Sequence, residues 1–134
     1  GTNTGIGQIK STADQAKIAI YDVVIGSVAT PADQATNFVV ARFGVAGTGA
    51  ALTTALVDQF AVAATATGRE MLTTEPTTLT SLMIIPLNQR ASFRWVASPG
   101  GELASRGSPS TGLELRSQSA TAAYLAAATI LWTE

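Results

Sequence analysis

Histidine and cysteine are both absent from the 134 residues of the chain. Without them, the usual structural zinc sites, iron–sulfur clusters, haem ligation by either residue and disulfides are excluded. Catalytic triads that use an imidazole base are excluded as well. Asp14, Asp33 and Asp58 could supply oxygen ligands, but no segment matches a calcium-binding EF-hand loop, and we expect these residues to cap turns. We therefore expect a protein that is not an enzyme and that uses no metal and no cofactor.

Charged residues are scarce, making up 13% of the chain against about 25% in a typical soluble domain. The net charge is −1, so the chain lacks the basic surface that binds a nucleic-acid backbone. Small residues replace the charges: there are 24 Ala, 19 Thr and 10 Ser. Hydroxyl groups can be buried at lower desolvation cost than ions. This composition favours a subunit whose surface is covered by partners, with a low-charge monomer as the alternative.

Long hydrophobic runs are also lacking. The most apolar stretches, 18–28 and 122–132, contain Asp22 or Thr129 and are too short to span a bilayer. Residues 1–10 do not show the basic and then apolar pattern of a secretory signal. The sequence therefore predicts a soluble protein without a membrane partner, made in a cytoplasm.

Short β-type segments separated by Gly and Pro dominate the chain. They predict an all-β fold, a β-sandwich or jelly roll of six to eight short strands forming one domain over residues 16–134. Residues 1–15 show no periodicity and predict a flexible N-terminal arm that a partner would order. Within the Ala-rich stretch 50–67 we expect a short helical turn around residues 57–61. The predicted strands cover 17–25, 36–45, 77–87, 90–97, 113–116 and 124–133, the last including the Ala-rich stretch 124–128.

The clearest strand pattern lies at 90–97, where Phe93 and Trp95 alternate with polar neighbours, as in a half-buried strand. We expect Trp95 and Trp132 to pack in the core. Among the charged residues, Arg90 and Arg94 on the polar face and Glu102 beyond the following turn are the candidate assembly contacts.

Glu70 and Glu75 lie close together in sequence and could form an acid/base pair. They stand next to Pro76, in a segment with no apolar pocket implied. We expect solvated loop charges instead.

A longer string carries a family resemblance. Residues 87–102 read LNQRASFRWVASPGGE, residues 112–116 read GLELR, and residues 132–134 read WTE. Together they resemble short virion proteins of tailed bacteriophages, in the accessory capsid class of decoration or cement proteins. The likeness covers the last third of the chain, and extends more loosely over 32–60 through its strand, GTG, LTT and ALVDQ layout. The stretch 61–68 departs from it by being richer in Ala and Thr.

The resemblance implies a β-rich structural protein that binds the outside of an expanded capsid shell in many copies and clamps neighbouring capsomers. Its partner would be the major capsid protein. A homo-oligomer or multi-copy lattice is implied, and a trimer would suit local three-fold positions. The location would be the capsid exterior of a virion assembled in the host bacterial cytoplasm.

Two alternatives stay open. A tail or head–neck structural component could use the same kind of fold. A carbohydrate- or receptor-binding β-sandwich module belongs to a different class and usually exposes aromatic rings on its loops. Here the bulky aromatic residues considered lie within β runs, which argues against such a module; they are Tyr21, Phe38, Phe43, Phe93, Trp95 and Trp132.

Overall fold

Every regular element of the protein is a β-strand in the computed structural model, which describes residues 3–11, 17–118 and 126–134. The all-β prediction is confirmed, and the ten strands found exceed the six to eight expected. They are β1 (Asn3–Lys10), β2 (Ile18–Ser27), β3 (Ala35–Phe43), β4 (Thr48–Leu52), β5 (Thr67–Thr74), β6 (Thr80–Asn88), β7 (Phe93–Val96), β8 (Leu103–Ser105), β9 (Gly112–Gln118) and β10 (Ala126–Thr133).

The strands form two antiparallel sheets, as in a β-sandwich. The larger sheet has the order β4-β5-β1-β9-β3-β6. The smaller sheet has the order β10-β2-β7, and β8 pairs with the first part of β2. Most neighbours are distant in sequence, so both sheets depend on pairing between the two ends of the chain.

The apolar core takes alternate side chains from both sheets. In the larger sheet, Ile9, Leu113 and Val40 belong to the core, whereas their sequence neighbours point to the other face. Trp95 and Trp132 are half-buried and pack against this core from the smaller sheet. The buried core residues are Ile9, Ile18, Ile20, Val23, Ile25, Phe38, Val40, Ala66, Ile85, Leu113 and Leu115.

The N-terminal segment is not an arm over the residues that the structure describes. Residues 3–10 form β1, which lies between β5 and β9 and pairs with both. A Cβ on Gly5 would meet the ends of the Leu72 and Glu75 side chains and force them to move, and a Cβ on Gly7 would stand 3.2 Å from the Arg69 carbonyl oxygen. These two glycines therefore allow close packing inside the sheet. Residues 1–2 and 12–15 of the predicted arm lie outside the described residues.

The predicted second strand is confirmed as β3, but it ends earlier than expected. The alternation of Val39, Ala41, Phe43 and Val45 predicts that they form the inner face of this strand. The first three are buried, but on the face turned away from the apolar core, which takes Phe38 and Val40 instead, and Val45 is exposed. After Phe43 the chain leaves the ladder, and Val45 forms only an isolated bridge with Thr77.

The helical turn expected around 57–61 is wrong, since that segment contains one hydrogen-bonded turn and no helix. The Ala61 amide donates to the Asp58 carbonyl oxygen over 3.0 Å. The Asp58 carboxylate accepts from the Phe60 amide, also at 3.0 Å. An Asp side chain that binds nearby backbone in this way competes with helix formation.

Candidate assembly surface

The connection between β4 and β5 exposes most of its hydrophobic side chains. This segment, residues 53–66, is called the apolar loop below; its single charged residue is Asp58. Val57 is 78% exposed, Phe60 89% and Val62 92%. Burying one such side chain contributes about 1.5–3 kcal/mol, so the solvated loop forgoes a substantial hydrophobic stabilisation. Contiguous exposed apolar side chains are typical of protein-interaction surfaces.

Two carboxylates fix the shape of the apolar loop. Asp58 closes the turn described above, as the sequence predicted for this residue. At the other end, Glu134 accepts from the Thr65 amide at 3.0 Å, the Thr65 hydroxyl at 2.7 Å and the Ala66 amide at 2.7 Å. Partial burial opposes ionisation of Glu134, but the hydrogen bonds from Ala66 and Thr65 outweigh it and lower its pKa. The end of β10 is therefore attached to the base of the loop.

Arg94 lies on β7 and forms a two-pronged ion pair across the smaller sheet. Its Nη2 is 2.7 Å from Asp22 Oδ2 and its Nε is 3.2 Å from Asp22 Oδ1. The hydrogen bond from Arg94 lowers the pKa of the Asp22 carboxyl, and the same bond raises the pKa of Arg94. Asp22 is buried and Arg94 is largely exposed. The guanidinium therefore neutralises a buried carboxylate and is still largely open to solvent.

Arg90 and Glu102 flank β7 at its two ends. Arg90 lies in the turn after β6, with Nη1 3.9 Å from Asp33 Oδ2, and both side chains are exposed. Glu102 accepts from the Gly100 amide at 3.3 Å. Hydrogen bonds from its own amide and from that of Gly100 lower the pKa of Glu102. Each of the three candidate contact residues thus has a bond within the chain, and none of these bonds reaches the apolar loop.

A buried polar network on the other face of the larger sheet was not foreseen. Gln8, Glu114 and Ala41 stand side by side on β1, β9 and β3, on the face turned away from the apolar core. The Gln8 side chain donates to the Gly47 carbonyl oxygen at 2.8 Å and accepts from the Gly47 amide at 3.0 Å. Residues 44–47 are therefore fastened over this face of the sheet.

Glu75 fastens a second covering segment. Its carboxylate accepts from the Gly5 amide at 2.9 and 3.0 Å, and lies 3.6 Å from Arg116 Nη2. The Thr77 amide donates to the Val45 carbonyl oxygen, which joins the two covering segments to each other. Glu75 is therefore half-buried and bound to other parts of the chain, and the prediction that it is a solvated loop charge is wrong. The sequence could not show this interaction, because Glu75 contacts Gly5 on β1 and Arg116 on β9, two strands that are neighbours only in the folded sheet.

Glu114 is the most enclosed charged group in the described residues. It is 1% exposed, its oxygens accept no hydrogen bond, and Oε1 lies 3.3 Å from Arg116 Nη1. Burial raises the pKa of Glu114 to about 7, Arg116 opposes this rise, and Glu75 adds to it. Because solvent does not reach the carboxyl, we assign this network to folding stability. The short strand predicted at 113–116 gave no indication that Glu114 and Arg116 would be buried.

The structure also bears on the predictions about aromatic residues, aspartates, metal sites and membrane spans. Of the aromatic side chains in the described ranges, Phe60 alone is exposed. Asp33 accepts from Asn88 Nδ2 at 2.6 Å, and Asp14 lies outside these ranges. No group of three potential metal-binding side chains occurs in them. They also contain no helix with the length and hydropathy needed to cross a bilayer.

The chain was compared with protein-family models, curated proteins and solved structures, and none of them matches it.

Proposed function

We propose that this protein is a non-enzymatic structural subunit of a tailed-phage virion, acting as a decoration or cement protein on the capsid shell. The apolar loop carries the proposal, because a monomer gains nothing from holding Val57, Phe60 and Val62 in water. The low charge of the chain and the resemblance of residues 87–102 to phage virion proteins point in the same direction.

The apolar loop is suited to binding a shell. Its base is fixed by Glu134, so less conformational entropy is lost on contact than for an unattached segment. Burial of its three most exposed side chains would supply a few kcal/mol for each copy. A shell that offers repeated sites would convert this modest contact into a large total stabilisation.

The direct test is a density gradient of the native source lysate, followed by quantitative mass spectrometry of this chain. Co-migration with DNA-filled particles at several hundred copies each supports the proposal. A few copies for each particle would overturn the capsid position in favour of the tail or neck. Recovery of the chain only from the top of the gradient would overturn assembly into a virion altogether.

Matched variants locate the contact. With purified shells, Phe60→Asp and Val62→Asp should each weaken co-sedimentation at least tenfold, because a charge would enter the buried contact. Val28→Asp is the control, since Val28 is also exposed but lies between β2 and β3. Equal binding by all three variants would exclude the apolar loop as the contact.

The charged candidates require a separate variant. Replacing Arg90, Arg94 and Glu102 together by Ala should reduce binding if the β7 surface also touches the shell. Unchanged binding would remove these three residues from the interface and leave the apolar loop as the proposed contact. Folding is checked first by circular dichroism, because Arg94 also neutralises Asp22.

A further inference from the structure

The edge strands of the two sheets differ in how they are protected. Proteins block unwanted edge pairing with short strands, proline, charge or bulges. In the larger sheet, β4 has five residues and β6 contains Pro86. In the smaller sheet, β7 has four residues and carries Arg94. Each of these edges has at least one such device.

β10 is the exception. It is eight residues long, reads AAATILWT, and contains no charge, proline or glycine. Its pairing with β2 has one bulge, between Leu131 and Trp132, and the extra residue, Tyr21, is on β2. In the described part of the chain β10 pairs with β2 alone, so its second edge has backbone groups available for another strand.

The side chains of β10 are arranged by size. Its first half is Ala126, Ala127 and Ala128, and its second half is Ile130, Leu131 and Trp132, with Thr129 between them. An antiparallel second copy centred on Thr129 would place each small residue opposite a large one. Ala126 would face Trp132 of the other copy, Ala127 would face Leu131, and Ala128 would face Ile130.

We propose that two copies of this chain pair along β10 about a two-fold axis through Thr129, joining their smaller sheets into one continuous sheet. This register keeps residues of the same face opposite each other, so the core-facing side chains of both copies stay on one side. Thr129 then faces its own copy, and cross-strand Thr pairs are favourable. No charged residue lies within the paired span.

The absence of cysteine makes the register directly measurable. Thr129→Cys should give a disulfide-linked dimer under mild oxidation, because directly opposed residues have Cα atoms about 4.5–5.5 Å apart, within disulfide range. Ala127→Cys is the control, since its two copies would be about 14 Å apart along the strands. Efficient linkage at 129 but not at 127 supports the proposal. Linkage at both positions, or at neither, overturns this register.

Equilibrium association provides the second measurement. Analytical ultracentrifugation of the wild-type chain should show a monomer–dimer equilibrium between about 1 and 200 µM, as expected for a small, strand-only interface. Thr129→Lys should weaken it at least tenfold by opposing two like charges. Ser81→Lys on β6 should leave it unchanged. A wild-type chain that stays monomeric throughout this range overturns the dimer.

The inference does not rest on shell binding. A chain that dimerises but fails to bind shells would leave the β10 contact standing and remove the proposed function. A chain that binds shells but remains monomeric in solution, without linkage at Thr129→Cys, would do the reverse.

Discussion

The outer face of the larger sheet and the apolar loop both reverse the usual distribution of side chains. On the sheet face, Glu114 and Arg116 are buried beneath two covering segments. In the loop, Phe60 and Val62 stand in water. The charged pair is partly neutralised within the chain, whereas the exposed hydrophobic groups have no compensation within it. Folding of the chain therefore accounts for the buried charges, whereas it does not account for the exposed hydrophobic side chains, on which the proposed shell contact rests.

Removing the Arg116 guanidinium should have the largest effect on the free energy of unfolding. Arg116→Met would leave Glu114 and Glu75 facing each other without a counter-charge, and breaking a buried pair from one side costs about 3–5 kcal/mol. Urea unfolding followed by tryptophan fluorescence measures the loss. Arg106→Met, at an exposed position, should change the free energy of unfolding by less than about 0.5 kcal/mol. Equal effects of the two variants would mean that the buried network contributes no stability.

The pH dependence of stability should come next in size. In the folded chain the pKa of Glu114 is raised from 4.5 to about 7, so the folded state holds its proton more tightly than the unfolded state. The stability that Glu114 contributes should therefore be fully present below about pH 4.5 and be lost as pH rises through 7, a loss of up to about 3 kcal/mol. Asp22, whose pKa is lowered, acts in the opposite direction and at lower pH.

Glu114→Gln isolates that carboxyl. This variant should lose the decline between pH 4.5 and 7.5 in urea titrations, while Glu102→Gln at an unburied carboxyl should retain it. A decline that persists in Glu114→Gln would assign the pH dependence to a different group.

A side chain at Gly47, in the covering segment 44–47, should lower the free energy of unfolding by a smaller amount. A Cβ there would collide with the Thr74 carbonyl oxygen and lie 2.9 Å from Pro76 Cδ, so Gly47→Ala should cost about 1–3 kcal/mol. Gly26→Ala is the control, because its nearest neighbour, Ser92 Cβ, is 3.9 Å away. Thermal unfolding compares the two variants. An unchanged melting temperature for Gly47→Ala would show that the covering segment is not closely packed.

The apolar loop should show the smallest effect on stability. Phe60→Ser should change the free energy of unfolding by less than about 0.5 kcal/mol, since the ring is solvated in the monomer. Binding of a hydrophobic dye to the folded protein should fall at the same time. A loss of several kcal/mol would show that the ring packs within the monomer, and the contrast with the sheet face would disappear.

The strands that could be predicted are those whose pattern is local. Phe93 and Trp95 alternate with Arg94 and Val96, and the structure buries them accordingly. β2 is apolar on both faces, although Val24 proves to be exposed. Apart from Val24, the burial of these apolar residues follows from their positions within their own strands.

The features that were missed depend on distant segments. β1 is a strand because β5 and β9 hold it on both sides, and its sequence GIGQIK shows no clear alternation. Glu114 and Arg116 are buried because residues 44–47 and 75–78 cross over them. The pairing of β1 and the burial of Glu114 and Arg116 both depend on residues more than about ten positions away in the sequence. Local periodicity therefore could not predict either of them.

The strand order also determines when this fold can form during synthesis. Lys10 pairs with Gly112, and Ala19 pairs with Thr133, so β1 and β2 each wait for one of their partner strands until more than a hundred residues later in the chain. At about 5–20 residues per second, that interval lasts roughly 5–20 s on the ribosome. During it the nascent chain exposes unpaired, aggregation-prone strands, and its yield in a cell will depend on how well they are shielded until β9 and β10 emerge.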